Sequence, residues 1–155
     1  MSARTWRFDS SPAHMSEMDT DKIFFVGQKA FIEKDGKVLV VFDPVLGLDF
    51  PGGKLKEDEP DPEASLRREV REETGLEIEI GQPFCVWTAL IYSELKKRAK
   101  DLFLIGFKCT YKSGEVKISD EHTSFQWVDK DSYKKLAKGK TESFFQALEK
   151  YFERA

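Results

Sequence analysis

Apolar runs separated by turn-forming residues predict most of the strands of this chain. The stretch IFFVGQKAFIE is followed by a turn at Asp35-Gly36 and then by KVLVVF, a pattern typical of a β-hairpin. Further along, LEIEI, PFCVWTALIYS and DLFLIGFKCTY predict three more strands, and QWV predicts a short last one. The segment DPVLGLDFPGG, rich in turn-forming residues, is predicted to be a loop.

Two helices are predicted from capping residues and apolar spacing. Asp61 suits an N-cap, Pro62 suits the first helical position, and Gly75 stands where that helix should end. Thr141 is predicted to cap a final helix, and DKDSYKKLA to form one or two helical turns before it. One apolar stripe of the final helix consists of Phe144, Phe145, Leu148, Tyr151 and Phe152.

Strands in mixed order, with one central and one C-terminal helix, indicate an α+β fold or an α/β sandwich around a mixed sheet. Residues 22–155 are predicted to form a single domain. Residues 1–21 mix Ser, Pro, Met and charged residues without periodicity, which favours a flexible N-terminal arm. An added edge strand is the alternative for that segment.

Composition narrows the class of protein. Of 155 residues, 40% are hydrophobic and 34% are charged, as in a globular domain, and no apolar run approaches the roughly 20 residues that cross a membrane. The formal net charge of −3 argues against a stable complex with nucleic acid. Cys85 and Cys109 lie far apart in apolar stretches, which favours free buried thiols, a reducing compartment and hence the cytoplasm.

The central helix carries three glutamates on one side. With about 100° of rotation per residue, Glu69, Glu72 and Glu73 fall within an arc of roughly 100°. Like charges at this spacing repel, and the C-terminal turns of a helix disfavour anions. One interpretation is a solvated face balanced by the neighbouring arginines, Arg67, Arg68 and Arg71.

The other interpretation is a site for a divalent cation, because hard cations such as Mg²⁺ take oxygen ligands. Such a site needs a loop in which the backbone approaches a ligand closely. Pro51-Gly52-Gly53 is such a loop, since glycine leaves no side chain in the way.

The residues from Gly53 to Leu76 resemble a known motif, the Nudix box. Gly53 and Glu59 are followed by Arg68-Glu69-Val70-x-Glu72-Glu73-x-Gly75-Leu76, which matches the family pattern R-E-apolar-x-E-E-x-G-apolar. The stretch FPGGK in front of the helix is also typical of the family. The resemblance implies a Nudix-type α/β/α sandwich with a central mixed sheet, spanning residues 22–155.

One departure from the pattern stands inside the acidic loop EDEPD. The family places seven residues between the first glutamate and the arginine, whereas Pro60 to Arg67 make eight here. We infer a one-residue insertion. The partner of Arg68 is therefore open among three acidic residues, Glu57, Asp58 and Glu59.

The resemblance implies hydrolysis of a diphosphate linkage in a nucleotide-type substrate by attack of water, assisted by Mg²⁺ or Mn²⁺. It implies that Glu69 and Glu73 are the main metal ligands and that Glu72 is a ligand or the general base. Arg68 is expected to orient these glutamates, and the enzyme to act as a monomer or homodimer.

Further metal ligands are expected outside the helix. A backbone carbonyl of Gly52 or Gly53 is one candidate. Glu121 in ISDEHTSFQWV is another, because family members often recruit an acidic residue from a loop after the sheet. His122 beside it is predicted to be a surface histidine.

Substrate contacts are predicted outside the box. Tyr92 stands roughly where dinucleoside polyphosphate hydrolases of the family carry a tyrosine, although an aromatic strand residue also suits the core. A basic loop suited to phosphates or to an exposed hairpin tip consists of Lys96, Lys97, Arg98 and Lys100. Phe50 suits either base stacking or packing.

Two other functions compete with the hydrolase. A catalytically silent Nudix-fold module that binds nucleotides or regulates is the main alternative, but all three helix glutamates are present, which favours the enzyme. An isoprenoid diphosphate isomerase on the same fold would need an active-site cysteine. Cys85 and Cys109 lack that context.

Overall fold

The computed structural model describes residues 20–93 and 96–154, so the arm predicted for residues 1–21 lies outside them apart from its last two residues. The strands are β1 (Phe25–Lys34), β2 (Lys37–Asp43), β3 (Gly47–Asp49), β4 (Gly52–Lys54), β5 (Glu77–Ser93), β6 (Arg98–Ser113) and β7 (Ser124–Val128). The helices are α1 (Pro62–Thr74), a short 3-10 helix (Ser132–Lys135) and α2 (Glu142–Glu153). None of the described helices is both long enough and apolar enough to span a membrane.

The sheet is mixed, as predicted. Its strand order is β3-β2-β1-β6-β5, with β4 paired to β1 and β7 paired to β2. The pairing of β1 with β6 is parallel, whereas the other pairs are antiparallel. The parallel pairing sets β1 at the centre, where both of its faces can be covered.

One helix covers each face of the sheet. Side chains alternate along β1, so Ile32 packs with Leu66 and Val70 of α1, whereas Phe31 packs with Phe144 and Leu148 of α2. The apolar stripe predicted for the final helix is the buried face of α2. The α+β class and the sandwich architecture are therefore confirmed.

The turn and the ends of α1 form as predicted. Asp35 and Gly36 take φ values of 52° and 74° at the tip of the β1–β2 hairpin. The carboxylate of Asp61 accepts hydrogen bonds from two backbone N–H groups of the first turn, at 3.0 and 3.2 Å. Gly75 ends α1 in the left-handed region, at φ 73°.

Three expectations are corrected. The predicted loop DPVLGLDFPGG contains β3 and β4, which are too short for periodicity to reveal. LEIEI and PFCVWTALIYS form one strand, β5, because register shifts near Pro83 keep it paired with β6. Thr141 precedes α2, but its hydroxyl donates to Lys138 O at 3.3 Å and makes no capping hydrogen bond.

Both cysteines are free, as predicted. Cys109 is buried and Cys85 is half-buried. Burial raises the pKa of the Cys85 thiol to about 11 and that of Cys109 to about 12. Neither thiol is activated as a nucleophile.

Candidate active site

Two of the helix glutamates converge on Pro51-Gly52-Gly53, which we call the glycine loop although its two glycines begin β4. The backbone N–H of Gly52 donates to Glu73 Oε2 at 3.1 Å. Gly53 lies directly against Glu69, since a Cβ on Gly53 would be 2.8 Å from the carboxyl carbon of that side chain. Strand β4 holds both glycines against β1, and α1 presents the glutamates to them. A side chain on Gly53 would fill the space that the Glu69 carboxylate occupies.

Arg68 forms hydrogen bonds with three carboxylates. Its Nε donates to Glu59 Oε1 at 3.0 Å, its Nη2 to Glu69 Oε1 at 2.9 Å and its Nη1 to Glu72 Oε2 at 2.8 Å. Nη2 also pairs with Glu59. The Ser65 hydroxyl donates to the second oxygen of Glu59 at 2.9 Å, and Ser65 and Arg68 together lower the pKa of Glu59. We call the side of α1 that carries Glu69, Glu72 and Glu73 the acidic face. The Arg68 guanidinium offsets part of the repulsion within it, through Glu69 and Glu72.

The inserted residue does not displace Glu59. Glu57 and Asp58 form an exposed turn, and the Glu59 N–H closes it by donating to Lys56 O at 3.1 Å. Lys56 N–H in turn donates to Glu59 Oε2 at 3.3 Å. Of the three acidic residues left open by the sequence, Glu59 is the partner of Arg68.

Glu73 is the most buried of the helix glutamates, at 5% exposure, whereas the Glu72 side chain is 59% exposed. Burial raises the pKa of Glu73 to about 7, against the opposing influence of Lys29, the Gly52 N–H and His122. Because this carboxylate is poorly hydrated, its charged form is stabilised when a cation approaches it.

A buried ion pair lies beside Glu73. Lys29 Nζ is 2.9 Å from Asp49 Oδ1 and donates to Phe50 O at 3.2 Å. Burial alone would lower the pKa of Lys29, but Asp49 and then Glu73 raise it above its usual range. Burial would likewise raise the pKa of Asp49, which Lys29 and His122 hold below its usual range. Both side chains are therefore charged at neutral pH.

His122 faces this pair, with Nε2 3.8 Å from Asp49 Oδ2. It is buried, so the prediction of a surface histidine was wrong. The reason is the course of its loop, in which Ser119 N–H donates to Glu73 O at 3.0 Å and Thr123 N–H to Phe42 O at 2.9 Å. The carboxylate of Asp49 raises the pKa of His122.

A cavity of about 270 Å³ adjoins the glycine loop and the ion pair. Its apolar lining consists of Leu46, Leu48, Ile91, Leu102, Leu104 and Phe144. Its polar lining consists of Lys29, Asp43, Asp49, Lys54, Lys100 and Thr141. Gly27 and Gly53 complete it, and Gly53 also contacts Glu69, so the cavity and the acidic face meet at this residue.

The family model described as the NUDIX domain matches residues 27–148. The chain belongs to the Nudix hydrolase family. Among curated relatives, a MutT-like protein of Streptomyces ambofaciens is 30% identical over 101 residues, which are 64% of this chain and 60% of the relative. The CTP pyrophosphohydrolase of Escherichia coli (strain K12) is 45% identical over 58 residues, which are 34% of this chain and 42% of the relative. The matches thus span less than two thirds of either relative.

Solved structures agree with the Nudix assignment. The MutT protein from Methanosarcina mazei Go1 superposes with a TM-score of 0.65 at 26% identity, covering 84% of this chain and 96% of that one. A MutT Nudix hydrolase from Burkholderia pseudomallei superposes with a TM-score of 0.65 at 25% identity, covering 83% and 98%. The likeness extends over most of the described fold.

The donor set of the Nudix box fits a divalent cation in its chemistry. Glu69 and Glu73 supply carboxylate oxygens at the glycine loop, and Gly53 has no side chain to block its peptide. Among the described residues, no three acidic, histidine or cysteine side chains are grouped closely enough to hold a metal ion. Arg68 and Gly52 engage the carboxylates, so binding would require the glutamates to turn from these partners.

Glu121 is not joined to the helix glutamates. Its loop lies against the end of α1 through Ser119, but the Glu121 side chain is exposed and makes no hydrogen bond to them within the described residues. Its role as a metal ligand stays a prediction.

The residues predicted to contact the substrate differ in their exposure. Tyr92 is 52% exposed on β5, so it is no core residue, and Lys96, Lys97 and Arg98 are exposed at the β5–β6 turn. Phe50 is fully buried, with its ring 4.1 Å from Phe31 and 6.2 Å from Phe144, measured between centroids. The hypothesis that the Phe50 ring stacks on a substrate base is therefore wrong.

Sequence reasoning missed Lys29 and Asp49. A signal was present, because Gln28-Lys29 interrupts the apolar run that becomes the buried centre of β1, with Lys29 only 9% exposed. A lysine at a buried strand position requires a partner. The position of Asp49 could not be predicted, since β3 was not recognised as a strand.

Proposed function

We propose that this chain is a metal-dependent pyrophosphohydrolase that cleaves a diphosphate linkage of a nucleotide substrate by attack of water. The observation that carries the proposal is the convergence of Glu69 and Glu73 on Gly52-Gly53, with Arg68 held by Glu59. The name of the Escherichia coli relative, CTP pyrophosphohydrolase, supports this reaction class. Nucleoside triphosphates and nucleoside diphosphates linked to another group are the candidate substrates.

The helix carboxylates are the proposed ligands of the cation. Glu69, Glu72 and Glu73 would hold Mg²⁺ or Mn²⁺, with a carbonyl of the glycine loop, from Gly52 or Gly53, and the Glu121 carboxylate as further ligands. When bound, such a cation neutralises phosphate charge and lowers the pKa of water. Arg68 would position the glutamates, and a glutamate would accept the proton of the attacking water.

The cavity is the proposed place of the nucleoside. Phosphates would lie towards Lys54, which follows Gly53 in the chain, and towards Lys100, which lines the same cavity. Lys54, followed by Lys96, lowers the pKa of Lys100 by like-charge crowding, and an anion would relieve that repulsion. Lys96, Lys97 and Arg98 at the exposed turn are proposed to extend this phosphate contact, and Tyr92 to offer a ring to the substrate.

The free thiols of Cys85 and Cys109 support a cytoplasmic location, since oxidising compartments favour disulfides. We propose that the chain binds a small-molecule nucleotide as its partner and that it acts as a monomer or a homodimer.

The test is hydrolysis of a panel of nucleotides, with and without Mg²⁺ and Mn²⁺. It includes nucleoside triphosphates, ADP-ribose, dinucleoside polyphosphates and sugar nucleotides. Turnover should require the cation, and Glu69→Gln and Glu73→Gln should each lower it by orders of magnitude. Glu63→Gln, on the exposed first turn of α1, is the matched control and should retain the wild-type rate.

If no member of the panel is hydrolysed but nucleotides bind, the chain is a silent Nudix-fold module. If Glu69→Gln and Glu73→Gln both keep the wild-type rate, these carboxylates do not hold a catalytic cation.

A further inference from the structure

Helix α1 covers only one end of its face of the sheet. Its apolar side chains pack with Ile32 of β1 and with Ile78, where β5 begins. Towards the tip of the β5–β6 hairpin, the side chains of β5 that point to the same face are Val86, Thr88, Leu90 and Tyr92. Those that alternate with them pack towards α2, namely Trp87, Ala89 and Ile91. Leu90 is 68% exposed, and Val86 and Tyr92 are each 52% exposed.

This exposed surface continues across β6 to β1. Phe103 of β6 pairs with Thr88 of β5 on one side and with Val26 of β1 on the other. Phe103 and Ile105 are half-buried, and the ring of Phe24 lies against Phe103 with 5.8 Å between centroids. We call this surface the open face, and its residues are Val86, Thr88, Leu90, Tyr92, Phe103 and Ile105.

The open face is large enough to need an explanation. Strands lie about 4.8 Å apart and rise about 3.3 Å per residue, so three strands over the length of Val86–Tyr92 span a flat area of roughly 300 Å². Single exposed apolar residues are normal on a protein surface, whereas a contiguous patch of this size marks a contact with another molecule. The open face is therefore a candidate interaction surface.

Strand β5 also lacks the residues that keep an edge strand from self-association. Within the described residues, it lies at the end of the strand order and pairs with β6 alone. From Phe84 to Ser93 its sequence contains no charged residue and no proline. Natural edge strands usually carry such residues, which prevent contact with the sheet of a second chain. Nothing in this stretch opposes that contact.

The charges at the open face favour a second copy of this chain as the partner. Asp101 lies opposite Leu90, and Lys22 neutralises it with Nζ 3.2 Å from Oδ1. Anionic membranes and nucleic acids bind surfaces with an excess of cations. A balanced face does not repel its own copy, and two twisted sheets can pack with their apolar side chains interdigitated.

The hairpin tip determines the direction of such a contact. Lys96, Lys97 and Arg98 follow β5 at the Tyr92 end of the open face. If the β5 strands of two copies ran parallel, the two basic tips would meet and repel each other. A two-fold axis perpendicular to the strands places the tips at opposite ends. Leu90 lies close to the middle of the exposed row, so it would approach the Leu90 of the other copy.

We propose that the open face is the interface of a homodimer, in which the β5 strands of two copies pack antiparallel across a two-fold axis near Leu90. This inference selects the homodimer from the two assemblies named above and does not depend on the hydrolytic reaction. The area is smaller than the roughly 800 Å² per partner of stable complexes, so the dissociation constant is expected in the micromolar range. Tyr92 lies at the rim of the contact.

Sedimentation equilibrium of the full chain, from about 1 μM to 1 mM, measures the association. The wild-type protein should pass from monomer to dimer over this range. Leu90→Glu places two like charges against each other in the interface and should raise the dissociation constant by more than about 100-fold. Val45→Glu is the matched control, because Val45 is 67% exposed in the turn between β2 and β3, and it should dimerise like the wild type.

An exchange of charges tests whether Leu90 meets its own counterpart. Leu90→Lys alone should be as monomeric as Leu90→Glu, but an equimolar mixture of the two variants should form a heterodimer. A mixture that stays monomeric would overturn the proposed two-fold contact. Dimerisation of Leu90→Glu with the wild-type dissociation constant would overturn it too, since the interface then lies elsewhere.

Other occupants of the open face give different results. A wild-type protein that stays monomeric at about 1 mM overturns the proposal, and its binding to vesicles of anionic lipid would then assign the face to a membrane. Leu90→Thr keeps a strand-forming residue and should leave the melting temperature of the monomer unchanged. A lower value would show that another segment of the same chain covers the face. Nucleotide hydrolysis is measured separately, so this inference and the proposed function can fail independently.

Discussion

Arg68 is bound to Glu59 across nine positions of sequence, with Nε 3.0 Å from Oε1, and the same guanidinium reaches Glu69 and Glu72. The acidic loop that ends at Glu59 is thereby tied to the helix that carries the glutamates. Like charges at i, i+3 and i+4 spacing destabilise a helix, and one shared cation offsets that repulsion. The Glu59–Arg68 contact is therefore expected to set the orientation of the acidic face.

The first prediction concerns Glu59. Replacing Glu59 by Gln removes one of the three carboxylates that share Arg68. The guanidinium should therefore interact more strongly with Glu69 and Glu72 and change their orientation. Turnover should fall by about 10- to 100-fold, because Gln keeps an acceptor oxygen but lacks the charge that strengthens the hydrogen bond to Arg68. Glu57→Gln in the exposed turn is the control and should leave the rate unchanged. Initial rates for the best substrate at saturating Mg²⁺ measure both, and equal rates would show that Arg68 needs no partner in the loop.

The second prediction contrasts the two glycines of the loop. In Gly53→Ala the three atoms nearest to the new Cβ would all belong to the end of the Glu69 side chain, at 2.8 to 3.1 Å, and that side chain can move. Activity should fall more than about tenfold while the melting temperature hardly changes, because Glu69 is displaced without harm to the core.

Gly52→Ala should behave differently. Its Cβ would lie 2.1 Å from the backbone oxygen of Gln28, and Gly52 has φ 139°, which other residues rarely adopt. The free energy of unfolding should drop by more than about 2 kcal/mol. Urea unfolding of both variants decides the matter, and a Gly53→Ala protein as unstable as Gly52→Ala would contradict the assignment of Glu69 to the site.

The third prediction concerns pH. Burial raises the pKa of Glu73 from 4.5 to about 7, so in the absence of metal the folded state binds its proton more tightly than the unfolded state does. This contribution to stability is fully present below pH 4.5 and is lost as the pH rises through about 7. It amounts to on the order of 3 kcal/mol.

Urea unfolding with a chelator present, at pH 5 and at pH 8, measures this effect. The wild-type protein should lose more stability than Glu73→Gln between these values, and Mg²⁺ should restore part of the loss at pH 8. The pKa of His122 is also raised, chiefly by Asp49 and in part by Glu73, and its stabilisation is lost in the same direction, so the difference between the two proteins measures Glu73 together with its influence on His122. Parallel profiles of the two proteins would contradict the burial of a titrating Glu73.

Local signals predicted the framework of the fold. The β1–β2 turn follows from Asp35-Gly36, and the ends of α1 follow from Asp61 and Gly75, because each residue satisfies a backbone requirement set by its neighbours. The register shifts near Pro83 and strand β4 depend on pairing partners distant in sequence, so no local pattern encodes them. Strand β3 pairs with the neighbouring β2 but has only three residues, too few to show a periodicity.

The acidic face was predictable from helix geometry, but its surroundings were not. The partner of Arg68 was left open because the inserted residue could shift any of three acidic side chains, and only the turn at Glu57-Asp58 resolves this. Burial of His122 results from hydrogen bonds of its loop to α1 and β2. The ion pair of Lys29 with Asp49 joins two strands that are not sequence neighbours.

The glycine loop is held by main-chain hydrogen bonds, with Ala30 N–H donating to Pro51 O at 2.8 Å and β4 paired to β1. Lys29, in the same stretch of β1, lines the cavity, and its ammonium pairs with Asp49. Mutation can therefore exchange the residues that face a ligand while the backbone that supports the acidic helix is inherited unchanged. After gene duplication, a few substitutions in the cavity can therefore adapt such a chain to a new metabolite, and each intermediate protein still folds.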